Sequence, residues 1–361
     1  MAYNDYRRKT HTVRVGNLRI GGDAPVSVQS MTNTDTTDVK ASVAQILALR
    51  DAGCQLVRLA VPNEEAARAF ARIREAVPDV PLAADIHFDY RLAIACAEAG
   101  ADKIRINPGN IGDDERVLAV VKACRSRSIP IRIGVNGGSL EKHILAKYQS
   151  PTAEALAESA MTHVRLLERF DFHDILISVK SSDVRVMIGA NRLLAEQTDY
   201  PLHLGVTEAG VPERGCVKSA AGIGSLLCDG IGDTVRVSLT ADPIEEVRAG
   251  RALLDALGVT PSRISVISCP TCGRTRIDLI SLVREFEARL ASGDITYPGE
   301  LKVALMGCAV NGPGEAREAD IGIAGGNGEA VLIRHGEVIC KLPYDRILDE
   351  LIAQINQLPQ A

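Results

Sequence analysis

The sequence predicts an α/β fold: a (β/α)8 TIM barrel followed by a smaller α+β domain. Three observations predict it. Short Val/Ile/Leu-rich runs alternate with amphipathic stretches from about residue 25 to residue 258, and eight such units follow one another. Unbroken strand–helix alternation implies a parallel sheet, and eight units close naturally into a barrel. Apolar residues make up 46% of the chain and aromatics only 3%, with no Trp, so the core is built of Ala, Val, Ile and Leu. That composition suits parallel strands covered by helices. The rival, an open doubly wound sheet, would carry Gly-x-Gly-x-x-Gly after its first strand, and nothing of the kind follows here.

The predicted barrel strands are 26–31, 55–60, 80–86, 103–106, 129–134, 174–179, 201–206 and 233–237. The helical patterns between and after them are 39–52, 64–77, 90–99, 113–126, 152–170, 184–198, 215–228 and 243–257. Ala52-Gly53, Ala99-Gly100 and Leu257-Gly258 read as helix stops. After Gly258 the pattern changes. Runs 264–268, 301–306, 321–324, 330–333 and 337–341 read as strands, and 277–290 and 344–356 as helices. The expected domains are therefore 1–260 and 261–361, joined by a short link.

A net charge of −5 argues against broad nucleic-acid or anionic-membrane binding. The polar N-terminus lacks an apolar signal core, and no apolar run is long enough to span a bilayer, so the expected location is the cytoplasm. Nine cysteines scattered through such a chain do not form a disulfide framework. Cys54, Cys96, Cys124, Cys216 and Cys228 lie in or beside helical patterns and read as buried small apolar side chains.

Nearly every barrel strand ends in polar residues, and barrel active sites are built at those ends. The first strand ends in Gln29-Ser30-Met31-Thr32 and the second carries Arg58. Asp85 and His87 follow on the third, Arg105, Asn107 and Asn110 on the fourth, Arg132 and Asn136 on the fifth. Ser178, Lys180 and Ser182 belong to the sixth, His203, Thr207 and Glu208 to the seventh, Arg236 and Ser238 to the eighth. Five cations, Arg58, Arg105, Arg132, Lys180 and Arg236, interrupt apolar strands or stand just past them. Converging on one opening, they require an anion, and Arg forks match phosphate oxygens. The implied substrate is a small phosphate or diphosphate ester. The bland alternative is that each cation pairs with a barrel carboxylate or points outward as a solvated surface group. Asp85, His87 and Glu208 are candidate acid–base groups, and His203 reads as structural.

The smaller domain carries Ser-Cys-Pro-Thr-Cys-Gly at 268–273 and Gly-Cys-Ala-Val-Asn-Gly-Pro-Gly-Glu at 307–315. Cys269 and Cys272 reach one centre from one turn, and Cys308 completes a three-thiolate cup for zinc or an iron–sulfur cluster. Structural zinc would want a fourth Cys or His, and only Cys340, in a run that reads as a core strand, and His335 are at hand. A Gly/Pro loop that returns Glu315 favours a cluster with one oxygen ligand. The iron–sulfur reading leads, with zinc and unmetallated thiols open.

These motifs resemble the 4-hydroxy-3-methylbut-2-en-1-yl diphosphate synthase family over essentially the whole chain. Gln-Ser-Met-Thr at 29–32, Ala-Asp-Ile-His-Phe at 84–88, Lys-Ile-Arg-Ile-Asn-Pro-Gly-Asn at 103–110 and Gly-Val-Thr-Glu-Ala-Gly at 205–210 add to the two cysteine motifs. The resemblance implies the compact two-domain form: a substrate-binding barrel and an iron–sulfur reductase domain. It implies a [4Fe-4S] cluster held by Cys269, Cys272, Cys308 and Glu315. It implies that Arg58, Arg105, Arg132 and Lys180 grip a cyclic diphosphate, assisted by Asn107, Asn136, Ser238 and, less directly, Asn311. Glu208 would donate a proton, and Asp85, His87 and a displaceable Glu315 complete the catalytic set. Flavodoxin or ferredoxin would supply electrons, and a homodimer is expected.

Overall fold

The computed structural model describes residues 3–260, 264–297, 299–308 and 319–358. They form two compact units, Met1–Thr260 and Pro261–Ala361, each with its own apolar core.

The first unit opens with an antiparallel hairpin, β1 (Val13–Val15) and β2 (Leu18–Ile20), turning at Gly16 with a left-handed φ of 59°. Strands this short escape a periodicity argument, and the sequence reading has no element here. Val13, Val15 and Ile20 pack with Leu56, Ala83 and Leu176. Those three residues stand at the starts of barrel strands, so the hairpin plugs the barrel's N-terminal end.

The eight parallel strands are β3 (Ser27–Met31), β4 (Leu56–Ala60), β5 (Leu82–Asp85), β6 (Lys103–Ile106), β7 (Ile131–Asn136), β8 (Ile175–Lys180), β9 (His203–Leu204) and β10 (Thr234–Val235). They pair in the order β8-β7-β6-β5-β4-β3-β10-β9. A parallel bridge from Ile177 to Leu202 closes the ring. The last two strands are shorter than the sequence suggests. At their start the Asp233 carboxylate accepts the Leu202 N–H at 2.8 Å and pairs with Arg7 at 2.7 Å. The βα loops end in capping residues: Asp38, Asn63, Asp89, Asp113, Thr152, Asp183 and Asp242 each accept a first-turn N–H. Two unforeseen short helices, Pro108–Ile111 and Lys142–Tyr148, lie in the loops after β6 and β7.

Register and alternation decide what fills the barrel. Val28 lies over Gly250 of the helix Pro243–Ala256, so Ser27, Gln29 and Met31 point inward. The ladder carries that face round through Met31–Arg58, Asp85–Arg105, Arg105–Arg132, Gly134–Ser178, Thr234–His203 and Thr234–Ser27. Branched aliphatic layers ordinarily fill such an interior. Here amides, hydroxyls and cations occupy its upper part.

The second unit is a five-stranded sheet: β11 (Ile264–Ser268), β12 (Leu301–Met306), β13 (Ile321–Gly325), β14 (Glu329–Arg334) and β15 (Glu337–Pro343), in that order. The first three are parallel and the last two antiparallel. Phe286 from the helix Leu279–Ser292 and Leu351 from the helix Tyr344–Asn356 are fully buried in its core. β15 is an edge strand with Val338 and Ile339 exposed, so the run around Cys340 is not the core strand its composition suggests. Cys54, Cys96 and Cys124 are buried as expected; Cys216 is half-buried and Cys228, at a helix end, is exposed. No helix among the described residues is long and apolar enough to cross a membrane.

Candidate active site

Asp85 organises the barrel mouth. It ends β5, is buried, and faces two guanidiniums from the neighbouring strands. Arg105 Nη1 donates to its Oδ1 at 3.0 Å, and Arg58 Nε lies 3.4 Å from its Oδ2. His87 Nε2 stands 3.7 Å from Oδ2 on an exposed ring. Burial alone would raise the Asp85 carboxyl. The Arg58 charge, the nearby His87 ring and the charges of Arg105 and Arg132 instead hold it well below the usual carboxylate range.

The cations outnumber their partners. Arg132 is 1% exposed and donates to Ser178 Oγ at 2.6 Å. Its Nε and Nη2 have no hydrogen-bond partner among the described residues. Burial, and next the charges of Arg58 and Arg105, push this guanidinium well down from its ordinary value. Burial and the charges of Arg236, Arg58 and Arg132 do the same to the Lys180 amine. For Arg58, burial lowers the value to about 10 against the pull of Asp85. Arg236 differs from the sequence reading. It lies 3.3 Å from Glu246 on the helix Pro243–Ala256, which also takes the Ser30 hydroxyl and the Leu239 N–H. For this cation the paired, bland alternative holds. Arg58 and Arg105 share Asp85, while Arg132 and Lys180 form no ion pair with any carboxylate among the described residues.

Glycines make room for them. A Cβ at Gly134 would stand 2.3 Å from Arg105 Nε, and one at Gly205 would stand 2.7 Å from Lys180 Nζ and 2.6 Å from the Arg236 carbonyl oxygen. The remaining predicted residues lie at or just past the same strand ends. Asn107 caps the helix Pro108–Ile111 through Gly109 N, Asn136 stands beside Lys180 in register, and Ser238 is half-buried two residues past Arg236. Glu208 follows β9 on exposed, left-handed backbone (φ 52°). It has no salt-bridge partner among the described residues. Backbone strain of this kind in a non-glycine residue gathers at functional sites.

Sequence reasoning overlooked Lys103 and Glu246. Lys103 had a readable signal: two residues before Arg105 on one strand, it shares that residue's face. Glu246 sits in a helix that carries no such signal.

In the second unit, β11 and β12 are parallel neighbours with Ser268 opposite Leu305. Cys269 and Cys272 follow the end of one and Cys308 the end of the other, so all three occupy one edge of the sheet. Gly307 donates its N–H to Cys269 Sγ at 3.2 Å. The Arg274 N–H, with its side chain, lowers the exposed Cys272 thiol. Donors of this kind stabilise thiolates, and the set suits a metal centre. No three His, Cys, Asp or Glu side chains among the described residues are arranged to hold a metal ion. Asn311 and Glu315 lie outside the described residues. The two alternative zinc ligands are remote. Cys340 is on β15, three strand spacings from β12, or about 14 Å. His335 bonds Asp320 at the opposite end of β13.

Comparison with known proteins agrees in both units. Residues 10–251 match the GcpE TIM-barrel domain and residues 265–357 the GcpE protein C-terminal domain. A relative from Clostridium perfringens is 57% identical over 98% of this chain and 99% of its own length. One from Anoxybacillus flavithermus is 57% identical over 98% of this chain and 96% of its own. Both are named 4-hydroxy-3-methylbut-2-en-1-yl diphosphate synthase (flavodoxin). Two solved structures share the barrel. Type I 3-dehydroquinate dehydratase from Clostridium difficile has a TM-score of 0.52 at 15% identity, over 70% of this chain and 100% of that one. Dihydropteroate synthase from Stenotrophomonas maltophilia has a TM-score of 0.50 at 16%, over 70% and 99%. At such identity the likeness is one of fold. With both family domains matched along nearly its full length, the chain belongs to the GcpE family.

Proposed function

We propose that the protein opens 2-C-methyl-D-erythritol 2,4-cyclodiphosphate reductively to 4-hydroxy-3-methylbut-2-enyl diphosphate, a step of the methylerythritol phosphate route to isoprenoids. The name shared by its curated relatives supports this reading. The observation that carries it is the mouth itself: Arg58, Arg105, Arg132 and Lys180 are all buried, and among the described residues only Arg58 and Arg105 pair with a carboxylate, that of Asp85. Such a set awaits an anion with several oxygens.

Written for the neutral acids, the cyclic diphosphate with two electrons and two protons balances the linear diphosphate and one water. The carbon–oxygen bond of a ring phosphate breaks, and a hydroxyl leaves as water. Arg58, Arg105 and Arg132 grip the diphosphate oxygens, Lys180 adds a point charge, and Asn107, Asn136, Ser238 and Asn311 orient the carbon skeleton. Holding the reactive end in one pose removes much of the entropic barrier. Glu208 donates a proton to the departing oxygen, and Asp85 keeps Arg58 and Arg105 aimed, with His87 beside it. Cys269, Cys272, Cys308 and Glu315 would hold a [4Fe-4S] cluster, which supplies electrons one at a time when bound. The fourth ligand within this unit is a carboxylate on this reading, since Cys340 and His335 stand away from the three thiols. The relatives' name points to flavodoxin as donor, with ferredoxin the alternative, in a cytoplasmic homodimer.

The test is anaerobic purification with iron and sulfide analysis, then a reductive assay with the cyclic diphosphate. Four irons and four sulfides per chain with turnover on reduced flavodoxin support the reading. An iron-free preparation with full turnover overturns it. For the dimer, mixing inactive Arg132→Ala and Cys308→Ser chains recovers activity if two copies complete each other's site.

A further inference from the structure

Lys103 begins β6 and is fully buried. Its side chain lies on the Arg105 face of the strand, one residue pair deeper. Its Nζ crosses the barrel interior to β3, where Gln29 Oε1 accepts it at 2.9 Å. That partner is an amide and carries no charge. The charged and titratable groups of this interior are Arg58 and Asp85 on β4 and β5, Arg105 and Arg132 on β6 and β7, and Lys180 and His203 on β8 and β9. Arg236, just past β10, is taken by Glu246. Asp85 is already shared by Arg58 and Arg105. No carboxylate among the described residues is left for Lys103. A buried ammonium without a counter-charge gives up its proton rather than bear the desolvation.

We propose that Lys103 is a proton store beneath the mouth: its amine lacks the proton in the ligand-free barrel and takes one up when a diphosphate ester binds above it. The proposal rests on the functional reading above and deepens it. Burial, and then the charges of Arg132 and Arg58, push this amine well below its ordinary value. Gln29 Nε2, Arg132 Nε and Nη2 and both His203 ring nitrogens lie in the same interior without hydrogen-bond partners among the described residues. Polar atoms of this kind suit bridging water, along which a proton travels. The incoming ester carries a negative charge on each ring phosphate. That charge offsets Arg58 and Arg132, the repulsion on Lys103 falls, and the amine lone pair takes a proton from solvent. Ring opening then turns a disubstituted ring phosphate into a terminal phosphate with further negative charge, so the proton stays while the product is bound.

The experiment is calorimetric titration of the holoenzyme with the cyclic diphosphate, without reductant, in buffers of differing ionisation enthalpy. The ligand's ring phosphates each carry one strongly acidic oxygen and do not titrate near neutral pH, so proton exchange belongs to the protein. Wild type takes up protons, and its affinity falls by up to about tenfold per pH unit for each proton taken up. Lys103→Met takes up about one proton fewer per site, with a flatter pH profile. Lys103→Gln serves in its place if the Met variant does not fold. Binding without proton uptake by wild type overturns the proposal. So does a Lys103 variant with undiminished uptake, which assigns the proton to Lys180 or His203. Failure of the cyclic diphosphate to bind at all overturns the functional reading instead.

Discussion

Asp85 does its work by charge, and its removal separates stability from binding. Asp85→Asn leaves two buried guanidiniums without their shared carboxylate and should cost about 3 kcal/mol in thermal unfolding. The folded-state pKa lies below the unfolded one. Its contribution is therefore complete above the ordinary carboxylate pKa and is lost as pH falls through the depressed value. The stability gap between wild type and variant should be level from about pH 5 upward and close only in stronger acid. Glu208 is the converse case: exposed, unpaired among the described residues, and strained. Glu208→Gln should lower kcat by about a hundredfold or more while substrate affinity changes little. Full turnover in that variant would remove the residue from the mechanism. Both residues were readable from their places at strand ends. The pairing of Arg236 with Glu246 was not, because it depends on which turn of a following helix lies over which strand.

At the scale of elements, the mouth works because two strands surrender side chains to make space. Gly134→Ala sets a methyl 2.3 Å from Arg105 Nε, and the guanidinium must leave Asp85. Affinity for the cyclic diphosphate should fall by about tenfold or more, the worth of one charged hydrogen bond, as isothermal titration would show. Gly205→Ala should be worse for folding, since one obstacle there is the Arg236 carbonyl oxygen at 2.6 Å, which is backbone and cannot swing away. Unchanged binding and stability in both would mean the cations are not held where the glycines put them. In the second unit the decisive element is a parallel pair. Two strands that run alongside each other deliver their following loops to one edge, so Cys269, Cys272 and Cys308 all follow strand ends at that edge despite their separation in sequence.

At the scale of the molecule, two units have separate apolar cores, and the proposed function assigns the diphosphate to the first and the cluster to the second. Cys308→Ser should therefore abolish iron binding and turnover yet leave affinity for the cyclic diphosphate within about threefold, since the cations proposed to grip that ligand belong to the first unit, which has its own core. A fragment of residues 1–260 should melt cooperatively and bind the same ligand in the absence of iron. A fragment that does not fold would mean that the barrel depends on its neighbour.

The order of strands and helices, the polar character of the strand ends and the three-thiol motif were legible in the sequence, because each depends on local periodicity or on residue types close together in the chain. Only the tertiary structure decided which cations share Asp85, that Arg236 is neutralised, that Lys103 lies beneath the mouth beside Gln29, and that Cys340 sits on an exposed edge. Those are matters of ladder register and strand order, set by how the whole sheet closes or stacks. A linear pattern carries periodicity but not the distance between residues that closure brings face to face.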